Sequence, residues 1–212
     1  DILIENGKIS KISKLIDNSN NYKEIKLENL HISQGWFDTS VCFGEPGFEE
    51  RETIENGLNT AAKSGFTDVA VNANTYPVAD NKSAIEFIKN KGNNSATLLH
   101  PIGSLTKNAK SEDLAELYDM QNSGAIAFSD YNKPIANANL LKIALQYAQN
   151  FDALVFSFPQ DNSIAGDGLV NEHINSTKLG LKGIPSLAEE MQITRDLFLL
   201  EYTGGKLHIP TI

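Results

Sequence analysis

The sequence of 212 residues predicts an α/β protein in which parallel strands alternate with helices. Between Trp36 and Ile212, short apolar runs alternate with segments of helical periodicity. Such alternation is typical of parallel strands joined by right-handed crossovers. The pattern is compatible with an open doubly wound sheet and with a (β/α)₈ barrel. An apolar fraction of 41% in a chain of this length is sufficient for a buried core.

The elements follow one another in a regular order. The predicted strands are WFDTSVC, FTDVAVN, ATLLHPI, GAIAFS, ALVFSF and KLHIPTI. The predicted helices between them are ETIENGLNTAAKSG, KSAIEFIKN, SEDLAELYDMQNSG, ANLLKIALQYAQN and SLAEEMQITRDLFLLEY. Gly124 and Gly204 are expected to end two of these helices. Ser186 and Glu189 predict a capping box at the start of the last helix, and residues 161–184 are expected to form a long polar loop.

The first 33 residues have a different pattern. ILIENGKISKI and YKEIKLENLHIS are alternating runs on either side of a polar stretch, Asp17–Asn21. Alternation of this kind indicates antiparallel strands. We therefore expect residues 1–33 to form a β segment, part of a small β-sandwich appendage, and residues 34–212 to form the strand–helix domain.

Composition excludes several classes of function. The chain has 18 Lys and Arg against 27 Asp and Glu, a net charge of −9, and no basic cluster that could bind nucleic acid. Cys42 is the single cysteine, which is typical of a reducing compartment. No apolar run is long enough to cross a membrane, so we expect a cytoplasmic protein. No strand is followed by a glycine-rich phosphate-binding motif.

The segments that follow the predicted strands carry a family resemblance. The most specific stretches are DTSVCFGEPGFEERETIENGLNTAAKSGFTDVAV, NTYPVADN, PIGSLTK, GAIAFSD, VNEHINSTKLGLKGIPSLAEE and RDLFLLEYTGGKLHI. In this order and spacing, the chain resembles the dihydroorotases of the amidohydrolase superfamily, particularly the class that accompanies aspartate carbamoyltransferase. The resemblance extends over nearly the whole chain and implies a (β/α)₈ barrel.

The resemblance also implies a metal-dependent hydrolase. In that family one or two zinc ions activate the water that attacks the amide carbon of the dihydroorotate ring. Histidines of the metal shell correspond here to Ser40, Cys42, Phe158 and Thr211. Asp130 is the only retained ligand position. Gly44 replaces the arginine that holds the substrate carboxylate, whereas Asn74 retains the second substrate contact.

These replacements predict the loss of the metal site. One carboxylate and one thiolate cannot replace a shell of imidazoles and carboxylates around zinc. We therefore expect no catalytic residue, metal or cofactor, and a pseudoenzyme of pyrimidine biosynthesis. Its expected partners are aspartate carbamoyltransferase or an active dihydroorotase, in a homo- or hetero-oligomer. Two alternatives remain open. One is an active dihydroorotase, either with an atypical zinc site on Asp130, Cys42 and groups from outside this chain or without a metal. The other is a small-molecule sensor that uses Asn74 and the vacated pocket.

The retained residues also have structural explanations. Asp130 is expected to cap its own turn, residues 130–134, if it does not bind metal. Cys42 is expected to be a small buried core residue. Asn74 is expected to order the NTYP turn if it does not bind a carboxylate. Arg195 and Asp196 are expected to make polar contacts between helix and sheet.

Two further expectations concern surfaces. The acidic loop Glu45–Glu52 is either solvated or a partner contact. A complete barrel has eight strands and about 250 residues, whereas six strands are predicted here. The chain is therefore expected to be part of a longer protein, or to have the edges of its sheet covered by another copy.

Overall fold

A computed structural model describes all 212 residues, which divide into two compact units, Asp1–Gln34 and Gly35–Ile212. In the first unit, strands β1 (Ile2–Glu5) and β2 (Lys8–Ile12) pair in antiparallel fashion. Asn6 and Gly7 connect them with positive φ angles of 53° and 74°. This Asn-Gly pair is the preferred two-residue turn of a hairpin, and the predicted N-terminal β segment is confirmed.

The second run of the N-terminal unit, YKEIKLENLHIS, forms no strand, so that prediction was wrong. Ile25 and Leu27 remain mostly exposed. An alternating pattern forms a strand only where a partner strand and an apolar surface are available to it. Within this unit the run finds neither.

The second unit contains a parallel sheet of six strands, as predicted. In spatial order the strands are β3 (Trp36–Val41), β4 (Phe66–Val71), β5 (Leu98–Gly103), β6 (Ala127–Phe128), β7 (Val155–Phe156) and β10 (Leu207–His208). Two short strands, β8 (Val170–Asn171) and β9 (Gly183–Ile184), form a separate parallel pair. Because every strand of the large sheet runs in the same direction, their carboxyl ends meet along one edge.

Seven α-helices accompany these strands. They are α1 (Ile54–Lys63), α2 (Lys82–Lys91), α3 (Leu117–Asn122), α4 (Ala138–Ala148), α5 (Asn162–Ala165), α6 (Ile174–Lys178) and α7 (Leu187–Thr203). The main core lies between the sheet and this helical layer and includes Val69, Leu141 and Leu145. A smaller cluster with Ala70 and Ile102 packs on the opposite face of the sheet, as the alternation along β4 requires. No helix combines the length and the apolar character needed to cross a membrane.

Helix ends explain two differences from the sequence predictions. Helix α3 begins six residues later than expected, because Leu114 pairs with Thr106 and Ser111 has a positive φ of 58°. The predicted capping box of α7 was wrong, since Ser186 already has helical dihedral angles and its side chain accepts no capping hydrogen bond. Gly204 ends α7 in the left-handed conformation, as predicted.

Residues 161–184 are more ordered than the predicted polar loop. They contain α5, β8, α6 and β9. The Asp161 side chain caps α5, and His173 with Ser176 forms a capping box at α6. Elements of two to five residues are too short for hydrophobic periodicity to reveal them.

Candidate functional site

A cavity of about 110 Å³ lies at the carboxyl ends of the strands. One residue from β3, one from β7 and residues that follow β4, β6, β7 and β10 line it. The polar residues of the lining are Ser40, Asn72, Ser129, Tyr131, Asn132 and Thr211, and the apolar ones are Phe156, Phe158 and Pro210. None of these nine side chains carries a formal charge. This edge is where functional groups collect in parallel α/β proteins.

Three of the positions singled out in the sequence meet in this cavity. Ser40, Phe158 and Thr211 come from three different strand ends and line the same space. They contribute two hydroxyl groups and an aromatic ring. Cys42, Asp130 and Asn74 do not line it.

Cys42 is exposed, so the prediction of a buried core residue was wrong. It follows β3, which is an edge strand of the sheet and has a neighbour on one side only. Asn72 donates from Nδ2 to the Cys42 Sγ at 3.7 Å. A hydrogen bond with the Cys42 thiol is the main cause that raises the pKa of the Tyr131 phenol.

Asp130 is 4% exposed, and its carboxylate points to the loop that follows β5. Its Oδ1 accepts hydrogen bonds from Ser104 Oγ and the Thr106 backbone N–H, both at 2.9 Å. Its Oδ2 accepts a short hydrogen bond from Thr106 Oγ1. The carboxylate therefore does not cap its own turn, and that prediction was wrong. Burial is the main cause that raises the pKa of Asp130, and the three donors oppose it.

Gly44 lies where the chain approaches itself closely. A Cβ atom at this position would lie 1.9 Å from the carbonyl oxygen of Phe48 and 3.1 Å from that of Glu52. Two backbone hydrogen bonds hold this contact, from Gly44 N to Glu52 O at 2.9 Å and from Phe48 N to Gly44 O at 2.7 Å. The loop thus occupies the space that an arginine side chain would need in order to leave the backbone.

The acidic loop is only partly solvated. Glu45 is buried; its Oε2 accepts a hydrogen bond from the Ile54 N–H at the start of α1, and its Oε1 pairs with Lys91 Nζ at 2.7 Å. Glu49 and Glu50 remain exposed. Glu45, the first acid of the loop, is therefore a structural residue that links the start of α1 to the end of α2.

The Asn74 side chain does not hold the turn in which it lies. Its Oδ1 is buried and has no hydrogen-bond partner. The NTYP turn is held instead by Thr75, whose Oγ1 donates to the Pro77 carbonyl at 2.8 Å. The prediction that the Asn74 side chain orders this turn was wrong.

Arg195 and Asp196 link helix to sheet, as the sequence predicted. Asp196 is 1% exposed and accepts a hydrogen bond from Ser157 Oγ at 2.6 Å. Arg195 donates to Asp196 Oδ1 from Nε at 2.9 Å and also to the carbonyl of Ile135. The network holds Ser157 at the end of β7, directly before Phe158.

The donor set of the cavity does not fit a zinc ion. Zinc sites in proteins are built from imidazole, thiolate and carboxylate ligands. No group of three or more His, Cys, Asp or Glu side chains comes together in a way that could bind a metal. Hydroxyl, amide and phenyl groups line the cavity instead, and both oxygens of the nearest retained carboxylate, Asp130, accept internal hydrogen bonds.

Comparison with known proteins decides the family. Residues 31–212 match the family model described as dihydro-orotase-like. The chain belongs to this family. Among curated relatives, it is 43% identical over 209 residues to a dihydroorotase from Pelotomaculum thermopropionicum and 42% identical over 213 residues to one from Acetivibrio thermocellus. Both comparisons cover 99% of this chain and 49% of the relative, so the chain spans about half the length of the curated relatives it matches.

A solved structure supports the fold. The chain is similar to an L-hydantoinase (dihydropyrimidinase) from Arthrobacter aurescens, with a TM-score of 0.67 and 17% sequence identity. The comparison covers 97% of this chain and 48% of that one. At this identity the similarity shows a shared fold.

Sequence reasoning did not select Asn72, Ser129 and Tyr131 as site residues. The signal that could have found the first two is their position, since each is the last residue of a predicted strand. Tyr131 lies in the turn after β6 and has a positive φ of 59°. Its contribution depends on that turn, which residue order does not reveal.

Proposed function

We propose that this chain is the dihydroorotase-like part of a protein of de novo pyrimidine biosynthesis that has no catalytic activity. We also propose that it serves as a structural or regulatory partner of aspartate carbamoyltransferase. The observation that carries the proposal is the cavity, in which Ser40, Phe158 and Thr211 present no metal-binding group. The family reaction requires a metal-activated water, and these side chains supply no ligand for the metal.

Two further contacts support the absence of activity. The carboxylate of Asp130 is engaged by Ser104 and Thr106, so metal binding would require the loss of three internal hydrogen bonds. The loop packed against Gly44 leaves no space for a carboxylate-binding arginine. A substrate carboxylate would thus lack the bidentate partner that the family resemblance assigns to it.

The partner role rests on the fold that remains. A barrel surface persists as a docking face when its catalytic groups are lost, because fold and site are separable. Helix α7 presents Met191, Phe198 and Tyr202, whose spacing of seven and four residues places them on one face. Phe198 is 68% exposed and Tyr202 is 74% exposed. Exposed apolar side chains grouped in this way favour contact with another protein.

Metal content and turnover test the catalytic half of the proposal. The full-length protein, purified without chelators, is expected to contain zinc well below one ion per chain and to hydrolyse no dihydroorotate. Stoichiometric zinc together with turnover would overturn the proposal in favour of an active dihydroorotase with an atypical metal site.

Association tests the other half. The protein and the aspartate carbamoyltransferase of the same organism, mixed at micromolar concentration, are expected to elute together in size-exclusion chromatography. Phe198→Glu should weaken this complex, whereas Tyr118→Glu, on the exposed surface of α3, should not. Separate elution of the two wild-type proteins contradicts the partner role, and equal weakening by both variants contradicts its placement on α7.

A further inference from the structure

The cavity at the strand ends contains polar groups that the protein itself leaves unused. Asn72 is 2% exposed, and its Nδ2 donates to Ser40 Oγ at 3.1 Å and to the Val41 carbonyl at 3.2 Å. The Val41 carbonyl can only accept a hydrogen bond, so the nitrogen of the amide must lie on that side. The Asn72 Oδ1 lies on the other side, and no protein donor reaches it. Because Asn72 lines the cavity, this amide oxygen can accept a hydrogen bond from a ligand or from water.

Ser129 supplies the complementary group. It is 3% exposed, and its Oγ accepts the backbone N–H of Tyr131 at 3.0 Å. The hydroxyl proton of Ser129 is donated to no protein atom. The cavity therefore offers one acceptor, Asn72 Oδ1, and one donor, Ser129 Oγ–H, on side chains that are almost completely buried.

Charge restricts the ligand further. None of the lining side chains is charged, and the arginine position, Gly44, has no side chain. An anion placed here would lose its hydration without gaining a cationic partner. A cation would find no free carboxylate, because the oxygens of Asp130 are occupied by internal donors. The cavity is thus suited to neutral molecules.

We infer that this cavity is a binding site for a small neutral amide, such as a carboxamide or a urea. Such a molecule has N–H groups for Asn72 Oδ1 and a carbonyl oxygen for the Ser129 hydroxyl, whereas a carboxylate lacks the donor. Phe156 and Phe158 contribute flat apolar walls to a planar ligand. A protein cavity of about 150 Å³ accommodates benzene, so the volume of about 110 Å³ fits molecules of the size of acetamide or urea. The inference does not depend on the association with aspartate carbamoyltransferase.

Acetamide and acetate form a matched pair of probes, because they have the same shape and differ in charge and in the N–H donors. Titration of the full ¹⁵N-labelled chain, followed by NMR, is expected to show saturable shifts with acetamide and with urea. Acetate should bind at least about tenfold more weakly, since it pays the cost of desolvation without an ion pair. Equal binding of acetate and acetamide would overturn the inference, as would the absence of saturable shifts, which would mean that the cavity holds water alone.

A pair of variants locates the site. Thr211 lines the cavity, is exposed and makes no side-chain hydrogen bond, so Thr211→Trp should fill the space without unfolding the protein. This variant is expected to lose acetamide binding by at least about tenfold. Thr194→Trp, an exposed position on α7 away from the lining, should bind acetamide as the wild type does. Unchanged binding by Thr211→Trp would place the ligand elsewhere and refute the assignment.

Discussion

Replacing Gly44 by alanine measures how firmly the loop after β3 is closed over the arginine position. The added Cβ would lie 1.9 Å from the Phe48 carbonyl oxygen, and ordinary contact begins near 3.4 Å, so the carbonyl must move by about 1.5 Å. The Phe48 carbonyl accepts a hydrogen bond from the Arg51 N–H at 2.9 Å, and the Phe48 N–H donates to the Gly44 carbonyl at 2.7 Å, so a movement of Phe48 disrupts both. Two hydrogen bonds at about 1 kcal/mol each, together with overpacking of about 1–3 kcal/mol, imply a loss of about 3–5 kcal/mol.

The assay is equilibrium unfolding in urea, from which the midpoint and slope give the free energy of unfolding. Gly180→Ala is the control, because Gly180 has a positive φ of 67° and no atom within 4 Å of the added Cβ. Its cost is expected to be about 1 kcal/mol, from the backbone conformation alone. If Gly44→Ala costs no more than Gly180→Ala, the steric reasoning is refuted, and Gly44→Arg becomes a realistic way to restore carboxylate binding.

The buried carboxylates of Asp130 and Asp196 give two further predictions. Because burial raises the pKa of Asp130 above its ordinary value of 3.8, folding favours the protonated form. The free energy of unfolding of the wild type relative to that of Asp130→Asn should therefore be greatest below pH 3.8 and decline as the pH rises through the raised pKa. Urea unfolding of both proteins at several pH values measures this difference in free energy. A difference that stays constant or grows with pH would contradict the prediction. Asp196→Ala leaves Arg195 without its buried partner and should cost about 3–5 kcal/mol in the same assay, whereas Asp167→Ala, at a fully exposed position, should leave stability unchanged.

Much of the architecture could be predicted from the sequence. Each strand of the large sheet coincides with a predicted apolar run, which only β5 exceeds, by one residue, and Gly204 ends α7 where expected. Prediction failed where an element is short or lacks a partner surface. The run that contains Ile25 and Leu27 alternates correctly and yet forms no strand, and residues 161–184 hold four elements too short to show a period.

The candidate site was predictable in part. Family resemblance brought Ser40, Phe158 and Thr211 to attention, and the structure places all three around one cavity. The orientation of the remaining candidates was not accessible. Asp130 binds the loop after β5 and Cys42 is exposed at an edge strand, because the partner of a polar side chain depends on which strands become neighbours.

The sequence by itself determined the alternation of strands and helices, the family and the residue types at the inherited positions. Those properties depend on periodicity and on the order of residues along the chain. Only the tertiary structure decided that the loop is closed on Gly44 and that the Asp130 carboxylate accepts hydrogen bonds from Ser104 and Thr106. It also decided that Asn72 leaves an acceptor and Ser129 a donor free in the cavity. These features depend on distances between segments far apart in the chain, which are set when the strands pack side by side.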